Sequence, residues 1–465
     1  MEAMSACTSG CHKNNMRFQF TQTSHAFRLG KFLVSTGSAE ASVDTPGCLL
    51  YTRYGSVPFL TPDIYETLPS LPSVAFVPMF YITERKSVIK KFRRGIVNFT
   101  GLGNRAALIF QTDPVDTPPV AAADKSSVPV WATGGRIQLS IEDYVDCVIV
   151  AHPNGFQAPT DNDTLILPPN SMGRKRCWNS VMRTFRYLET VRECRRTNPD
   201  LSEIPLLVSI AGGNDLEFRK QSIKQTDFST SSGVVIDGIT TLPNNDTESI
   251  ITGAAAAVNG SSDNNRDTSY LFSTLIPGVC AELPPELPRF ITGIWQPQHI
   301  ALAVRAGVDL FDGSLPYRLT RSAVGWIYPG WPSLEGKESP SINFPLRYLV
   351  FPLDGSDDPS DGKYETPIQP GCDCFACTHH SRGYVSHMHI AKEMLGPMLL
   401  MIHNSHQYYR FFRDLRHCLT SGEIDHFIEF TALWEFPTKL LSVDRTFESK
   451  TAKDTPVDDV LPVIY

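Results

Sequence analysis

The sequence predicts an α/β fold in which parallel strands close into a barrel. Short apolar segments of strand type alternate with helical segments along most of the chain, which is typical of a parallel sheet, and many such units favour a barrel. The chain has 465 residues, long enough for one large barrel with additions or for two or three domains. Three cysteines within six positions indicate a metal site. The predicted fold is therefore a parallel α/β barrel with additions.

Two strand-like runs begin the predicted fold. Residues 27–34 form the first, Thr45-Pro46-Gly47 breaks the pattern, and residues 48–52 form the second. Thr61-Pro62 then marks a helix start, because threonine is a good N-cap residue and proline fits the first helical position. This order begins the alternation of strands and helices.

The same alternation recurs in the second half of the chain. Short apolar runs are followed by glycines or by helical segments, as expected for buried strands of a parallel sheet. The predicted strands are 206–210, 233–238, 289–294 and 308–312, and the predicted helices are 216–225, 297–306 and 381–418.

Composition sets the expected domain boundaries. Residues 1–25 are polar and are predicted to be a flexible N-terminus, residues 26–436 to be the barrel, and residues 437–465 to be a charged C-terminal tail. Loops or insertions are expected at 113–128, 244–267 and 330–365.

Overall composition excludes several classes of protein. The formal net charge is −7, so any contact with nucleic acid is local or is supplied by a partner. No apolar run of about 18 residues predicts a transmembrane helix, and the N-terminus lacks the apolar core of a secretory signal. The odd cysteine count of 11 suits a reducing compartment with a metal site. These features predict a cytoplasmic protein.

Two basic clusters are candidates for local contact with phosphates. One is the run Arg174-Lys175-Arg176, and the other has helical spacing. The alternative for each cluster is that its charges lie on a helix face exposed to solvent and contact no phosphate. The members of the helical cluster are Arg85, Lys86, Lys90, Lys91, Arg93 and Arg94.

Cys372, Cys374 and Cys377 place three thiols in one short loop. Zinc takes four tetrahedral ligands, so the loop would supply three and a histidine the fourth. Such a closed shell leaves no position for a substrate, which favours a structural zinc over a catalytic one. Reduced surface cysteines are the alternative, although exposed thiols at this density invite oxidation. Spacing alone does not choose among the candidate histidines, which are His379, His380, His387, His389, His403, His406 and His417.

Short motifs follow the cysteines in a distinctive order. They are Ser381-Arg382-Gly383-Tyr384-Val385-Ser386-His387, Leu395-Gly396-Pro397-Met398-Leu399-Leu400 and His403-Asn404. Together with the cysteines they resemble the zinc region of the tRNA-guanine (queuine) transglycosylase family, and a looser resemblance runs from Arg28 to about Cys418. The resemblance implies a (β/α)8 TIM barrel with a zinc-binding subdomain inserted late, at about 366–420, and one structural Zn2+ per chain. The ligands that it implies are Cys372, Cys374, Cys377 and His403.

A second motif bears on catalysis. The segment Phe311-Asp312-Gly313-Ser314-Leu315-Pro316-Tyr317-Arg318 is similar to the motif that carries the catalytic aspartate of this family. Active members exchange guanine for queuine at the wobble position of certain tRNAs, and that aspartate attacks the ribose C1′ atom. Such sites lie at the carboxyl ends of barrel strands. An active transglycosylase with Asp312 as nucleophile is therefore one hypothesis.

The motifs that bind the base in active members differ here. Ala132 stands where the resemblance implies an aspartate, and the second aspartate is matched to 150–154, which contains no carboxylate. Ala211-Gly212 replaces a Gln-Gly pair, and 236–239 matches a further loop only loosely. Each lost polar partner costs roughly 1–3 kcal/mol of binding. The resemblance therefore implies a non-catalytic subunit, which forms a heterodimer with the catalytic queuine tRNA-ribosyltransferase subunit and helps to place tRNA.

Overall fold

The computed structural model describes residues 16–23, 27–37, 39–115, 123–162, 173–239, 269–293, 296–331, 348–351, 353, 362 and 364–433. The insertion predicted at 244–267 and the tail predicted at 437–465 lie outside these residues, as does most of the segment 330–365.

The strands and α-helices of the described residues follow the chain in this order, and a π-helical segment, Leu271–Leu275, is present besides them. The strands are β1 (Met16–Thr23), β2 (Arg28–Ser35), β3 (Glu40–Thr45), β4 (Gly47–Cys48), β5 (Leu50–Tyr51), β6 (Val74–Pro78), β7 (Ala106–Phe110), β8 (Ser127–Ala132), β9 (Gly135–Ser140), β10 (Gly155–Gln157), β11 (Leu206–Ile210), β12 (Gly233–Ile236), β13 (Arg289–Ile291), β14 (Leu310–Phe311), β15 (Val324–Trp326) and β16 (Tyr348–Val350). The helices are α1 (Pro62–Tyr65), α2 (Met79–Phe92), α3 (Gly95–Thr100), α4 (Ile141–Ala151), α5 (Gly173–Thr197), α6 (Pro199–Glu203), α7 (Leu216–Gln225), α8 (Ile276–Glu282), α9 (Pro297–Arg305), α10 (Leu315–Arg321), α11 (Phe375–His379), α12 (Arg382–Ile390), α13 (Leu395–Ser421) and α14 (Ile424–Ala432).

The central sheet closes on itself as a barrel. Its hydrogen-bonded order is β4-β14-β13-β12-β11-β10-β7-β6-β5, and all of its pairs are parallel. β4 and β5 are halves of one extended segment separated by Leu49, which donates its N–H to the carbonyl oxygen of Phe311 at 2.9 Å. One half pairs with β14 and the other with β6. The ring therefore contains eight strands, and the predicted (β/α)8 barrel is confirmed.

Apolar side chains fill the interior of the barrel. Every residue of β6, β7, β11 and β12 is buried, because helices cover the outside of a parallel sheet and side chains fill its inside. The rings of Phe76 and Phe110 stack with centroids 4.4 Å apart, and Phe110 also meets Phe290 at 6.0 Å. These continuous apolar runs are the reason that the strands could be predicted from the sequence.

An antiparallel sheet of β1, β2 and β3 lies at the amino end of the barrel. Phe32 of β2 meets Phe290 of β13 edge-to-face at 5.4 Å, and Asn154 donates to the carbonyl oxygen of Ser35 at 3.0 Å. The prediction of a flexible N-terminus is wrong for Met16–Thr23, which pair with β2. The alternation of apolar and polar residues in β1 is typical of a strand. The expectation of a flexible terminus came from the polar composition of the residues before it.

Most predicted elements lie within a few residues of their predicted bounds, with two differences. The helix predicted at Thr61-Pro62 is a single turn, and the Thr61 side chain makes no capping hydrogen bond. The helix predicted at 381–418 is divided into α12 and α13. Lys392 lies between them with φ at 57°, a left-handed conformation that ends a helix.

The cysteine-rich subdomain follows the last barrel strand. The β15–β16 hairpin, α11 and α12 pack against α13, which itself packs against α10 of the barrel. α14 then lies against α9 on the outside of the barrel. No helix among the described residues combines the length and the apolarity that crossing a bilayer requires.

Candidate metal centre and barrel mouth

Local folding presents the three predicted thiols at one point. Cys372 donates its N–H to the carbonyl oxygen of Gln369 at 3.2 Å, and Cys377 donates its N–H to that of Cys374 at 3.1 Å. Gly371 has φ at 78°, which favours glycine and turns the chain just before Cys372. Cys374 is the N-cap residue of α11. The loop and the first turn of α11 therefore hold all three sulfur atoms on short, ordered backbone.

His403 of α13 completes a cluster of four ligand atoms. Its Nδ1 atom lies 3.8, 3.5 and 3.3 Å from the Sγ atoms of Cys372, Cys374 and Cys377, and all four atoms lie within 4.8 Å of one another. A tetrahedral zinc with sulfur at about 2.3 Å and nitrogen at about 2.0 Å separates S and N by roughly 3.5 Å. The cluster therefore has the dimensions that a tetrahedral metal ion needs.

Two neighbouring groups orient these ligands. His403 Nε2 lies 2.8 Å from the carbonyl oxygen of Trp326, so Nε2 carries the proton and Nδ1 keeps its lone pair towards the thiols. Gln407, one helical turn further along α13, donates Nε2–H to the sulfur of Cys372 at 3.0 Å. Sequence analysis missed Gln407, although its spacing of four residues from His403 puts both side chains on one helix face.

The cluster is buried, so negative charges on its thiols are unfavourable unless a cation lies between them. Cys372, Cys374, Cys377 and His403 are between 0% and 8% exposed. Hydrogen bonds to Cys372 and Cys377, together with burial, raise the pKa of the Cys374 thiol, whereas hydrogen bonds from Cys372 and Cys374 lower the pKa of Cys377. Buried like charges repel, so three thiolates require a cation between them. The donor set thus fits a thiophilic divalent ion.

The other candidate histidines make different contacts. His379 Nδ1 lies 3.1 Å from the carbonyl oxygen of Phe375, and His389 Nδ1 lies 2.8 Å from that of Val385. His406 lies beside the cluster, where its Nε2 atom is 3.0 Å from the carboxylate of Asp373. Cys372, Asp373 and His406 also lie close enough together to be a second possible group of ligands, but Asp373 is exposed.

Asn404 fastens the metal cluster to the end of the barrel. Its Oδ1 accepts the N–H of Trp326 at 2.8 Å, and its Nδ2 donates to Val324 and Thr320 at 2.9 and 3.1 Å. His403 and Asn404 therefore both bind β15 or its surroundings from one turn of α13. This arrangement gives the His-Asn pair a physical role that the sequence did not reveal.

Asp312 lies at the carboxyl end of barrel strand β14, as predicted. Its Oδ2 atom accepts the N–H of Gly293 at 2.7 Å, and its Oδ1 atom accepts both the N–H of Ser314 at 2.8 Å and the hydroxyl of the same residue. The side chain is 2% exposed, and burial raises the pKa of the carboxyl group. Both oxygens are therefore engaged in holding the backbone that follows the strand.

The match of 150–154 to a base-binding aspartate is wrong. Ala151 ends α4, and the barrel strand β10 begins only at Gly155, so 150–154 lies at the amino end of the barrel. The carboxyl end of β10 carries Gln157, which donates to Ser209 at 3.1 Å and to Asp237 at 2.6 Å. The apolar helix α4 resembles a strand in sequence, which caused the error.

The carboxylates nearest to this end of β10 are also engaged. Asp161 pairs with Arg176 at 2.8 Å and with Arg183 at 3.0 Å. Asp237 accepts from Gln157, from Asn162 and from a backbone N–H. Both carboxylates are buried, so each is satisfied by the protein itself rather than held ready for a ligand.

Aromatic rings and an arginine occupy the other side of the mouth. The Arg53 guanidinium lies over the rings of Tyr54, Phe80 and Tyr317 at 5.5, 5.9 and 5.8 Å. It also lies 3.8 Å from Asp113, which accepts the hydroxyl of Tyr51 at 2.8 Å. Arg53 is 8% exposed. Side chains of the protein thus fill this part of the mouth.

Comparison with known sequences agrees with this geometry. A sequence profile of the family described as Queuine tRNA-ribosyltransferase matches residues 24–434. The chain belongs to this family. The barrel and the cluster of three cysteines and one histidine both lie within the matched residues.

The curated relatives carry a more specific name. Proteins named "Queuine tRNA-ribosyltransferase accessory subunit 2" match from Xenopus tropicalis at 29% identity, from Danio rerio at 28% and from Homo sapiens at 25%. These matches cover 88–89% of this chain and 97–98% of each relative. This chain is similar to them over nearly its whole length.

Two of the segments compared with the family's base-binding motifs do face the mouth. Ala211 follows β11 directly, and Asp237 follows β12, so both lie at carboxyl ends of strands. Ala132 lies at the tip of the β8–β9 hairpin, paired with Gly135. Among these family positions only Asp237 carries a carboxylate, and that carboxylate is bonded internally.

The two basic clusters lie at opposite ends of the barrel. Arg174 and Arg176 begin α5 near the mouth, where they pair with Asp215 at 3.8 Å and Asp161 at 2.8 Å. The helix α2 runs from the mouth to the amino end of the barrel. Gly95, three residues after the helix, packs against the backbone of Ala151 just before β10. The cations at the end of α2 are therefore remote from the mouth.

Proposed function

We propose that this chain is the non-catalytic subunit of a queuine tRNA-ribosyltransferase complex. The complex exchanges guanine for queuine at the wobble position of tRNAs with GU(N) anticodons, and a separate catalytic subunit performs the exchange. One observation carries the proposal: the buried carboxylates at the barrel mouth are bonded by the protein itself. Asp312 is held by Gly293 and Ser314, and a nucleophile needs a carboxylate that can reach the sugar.

A structural zinc ion belongs to this proposal. Three cysteines and one histidine are a closed ligand set for zinc, and the proposed ligands are Cys372, Cys374, Cys377 and His403. The bound ion would supply charge neutralisation and a cross-link between the loop and α13. The protein contributes burial, the fixed orientation of His403 and the hydrogen bond from Gln407.

The cysteine-rich subdomain offers a surface for the catalytic partner. Phe375, Tyr384, Ile390 and Met394 are 51%, 37%, 64% and 67% exposed. All four lie in α11, in α12 or just after α12, and exposed apolar side chains gathered in one small subdomain mark an interaction surface. A heterodimer that covers them would also keep the metal loop away from solvent. We therefore place the partner on this surface, the partner surface, in a cytoplasmic complex.

Co-expression with a catalytic transglycosylase subunit tests the proposal. Guanine-to-queuine exchange should be absent with this chain alone and should appear with the two chains together. Exchange by the catalytic subunit that is independent of this chain, with no complex between them, would refute the proposal.

A catalytic role remains the second candidate function, because Asp312 lies at the carboxyl end of β14, where family members place their nucleophile. Turnover by this chain alone that is lost in Asp312→Asn would establish this alternative. Turnover that survives the substitution would point to a contaminating enzyme.

A further inference from the structure

The end of helix α2 is an unusual concentration of positive charge in an acidic protein. Between residues 85 and 112, seven residues are Lys or Arg and none is Asp or Glu, although the whole chain has a net charge of −7. Four of the seven, Lys90, Lys91, Arg93 and Arg94, are exposed and close the helix. We call these four the α2 basic end.

Among the described residues, the α2 basic end brings together four exposed cations without carboxylate partners. Within the described part of the chain, no ion pair involves any of its four side chains, whereas Lys86 on the same helix pairs with Asp146 at 2.7 Å. At the mouth, Arg174 and Arg176 both have carboxylate partners. Cations at a helix C-terminus interact favourably with the helix dipole, but that effect fades within one turn and does not require four of them.

The surface beside the α2 basic end is also rich in hydrogen-bond donors. Asn98 and Asn104 are exposed in the segment that follows it, and Asn98 donates one of its two Nδ2–H groups to the carbonyl oxygen of Arg94 at 2.8 Å. Lysine, arginine and asparagine side chains are donors that bind phosphate oxygens of nucleic acids.

We propose that the α2 basic end binds the phosphodiester backbone of a structured RNA. This inference rests on the proposed function, because it assigns to the non-catalytic subunit a contact with the body of the tRNA. The site lies at the amino end of the barrel, away from the mouth, so it does not take part in recognition of a base. Contact through phosphates carries no sequence information and positions the RNA instead.

A membrane surface is the other class of anionic partner, and the geometry of α2 disfavours it. Met79, Ile82 and Ile89 are fully buried against the barrel, so the apolar side of the helix is already covered. Of the exposed apolar residues on α2, Phe92 is held edge-to-face against Phe99 at 5.4 Å. An interfacial membrane helix needs its apolar side free to enter the lipid.

Charge reversal with a matched control tests the inference. Lys90→Glu/Lys91→Glu should weaken binding of a fluorescein-labelled, full-length tRNA with a GU(N) anticodon by about tenfold or more. The slope of log K against log salt concentration should fall by roughly one to two, since each phosphate contact adds about 0.9. The control Lys125→Glu/Lys224→Glu changes the net charge equally at two other exposed cations and should alter the affinity less than about twofold.

The measurements use the full-length chain, both alone and in the two-subunit complex. Zinc content and circular dichroism confirm folding, and Lys90→Gln/Lys91→Gln replaces the reversal if that variant fails to fold. Equal effects of the two double variants, or no effect of either, overturn the inference. A loss of subunit assembly, or a loss of binding to phosphatidylserine vesicles with tRNA affinity unchanged, also overturns it. Absence of base exchange by the wild-type complex would refute the proposed function, whereas tRNA binding by the α2 basic end is measured independently of it.

Discussion

His403 and Trp326 are joined by a 2.8 Å contact between the imidazole Nε2 atom and a backbone carbonyl oxygen. This contact fixes which nitrogen of His403 faces the thiols, so the metal cluster depends on the hairpin strand β15 as well as on its own loop. Metal binding and the docking of the subdomain on the barrel are therefore expected to be coupled.

Loss of one thiol should release the metal and destabilise the protein. Cys374→Ser is expected to reduce zinc from about one per chain to near zero, and to lower the free energy of unfolding by more than about 4 kcal/mol. Mass spectrometry under native conditions and urea unfolding measure these effects. Cys194→Ser, at a half-buried cysteine of α5, is the matched control. Full zinc content in Cys374→Ser would contradict the assigned ligands.

Gln407 should set the strength of metal binding without being a ligand. Gln407→Leu removes the hydrogen bond to the Cys372 sulfur, and loss of such an outer contact typically weakens metal affinity by about 10–100-fold. Competition with a chelator measures the affinity, while the stoichiometry at saturating zinc should stay unchanged. Gln138→Leu makes the same substitution on the exposed side of the β8–β9 hairpin and should leave the affinity unaltered.

Asp312 should matter for stability and not for catalysis. Asp312→Asn replaces one of two accepting oxygens with a donor, so a contact to Gly293 or Ser314 is lost and the free energy of unfolding should fall by about 1–3 kcal/mol. Base exchange by the two-subunit complex should continue at the wild-type rate per folded complex. A drop of more than about tenfold in that rate, with assembly intact, would restore Asp312 as a catalytic residue.

Charge placed on the partner surface should prevent subunit assembly. Ile390→Glu and Met394→Glu put a carboxylate at side chains that are 64% and 67% exposed, so folding and zinc content should be retained. Burying that carboxylate against a partner is costly, and sedimentation should show separate subunits. Leu433→Glu alters a side chain that is 57% exposed after α14 and serves as the control. Normal assembly of both test variants would place the partner elsewhere.

His299 should make stability fall in mildly acidic solution. It stacks on Phe272 at 4.7 Å, and burial lowers its pKa from 6.5 to about 4. The unfolded chain therefore binds a proton at higher pH than the folded one, so this contribution is complete above pH 6.5 and is lost as pH falls towards 4. The loss approaches about 1.4 kcal/mol for each pH unit within that window.

The variant His299→Phe isolates this effect. Urea unfolding at pH 7.5 and 5.5 should show a smaller pH dependence for His299→Phe than for the wild type. His426→Gln, at an exposed histidine, should keep the wild-type dependence. Identical pH dependence in His299→Phe and the wild type would show that His299 is not the responsible group.

The sequence alone determined the elements whose information is local. Continuous apolar runs predicted the barrel strands β11 and β12, because buried parallel strands have no polar side to interrupt the pattern. The helix α7 between them was also predicted at its observed bounds. The spacing of Cys372, Cys374 and Cys377 predicted three ligands in one loop, because that information is also local in the sequence. The choice of His403 came from resemblance, since seven histidines had comparable spacing and only the return of α13 over the loop separates them.

Tertiary structure alone decided what the barrel mouth can do. The sequence shows Asp312 at a strand end, but the bond from Gly293 to its Oδ2 atom depends on how β13 and β14 lie together. With the local bond from Ser314, it engages both oxygens. The pairing of Arg176 with Asp161 joins two different segments of the chain, and the position of Lys90 at the far end of the barrel follows from the direction in which α2 runs. The periodicity of apolar residues in the sequence indicates which side of a strand or helix is buried. The partner of a charged side chain is fixed only when the strands close into the barrel.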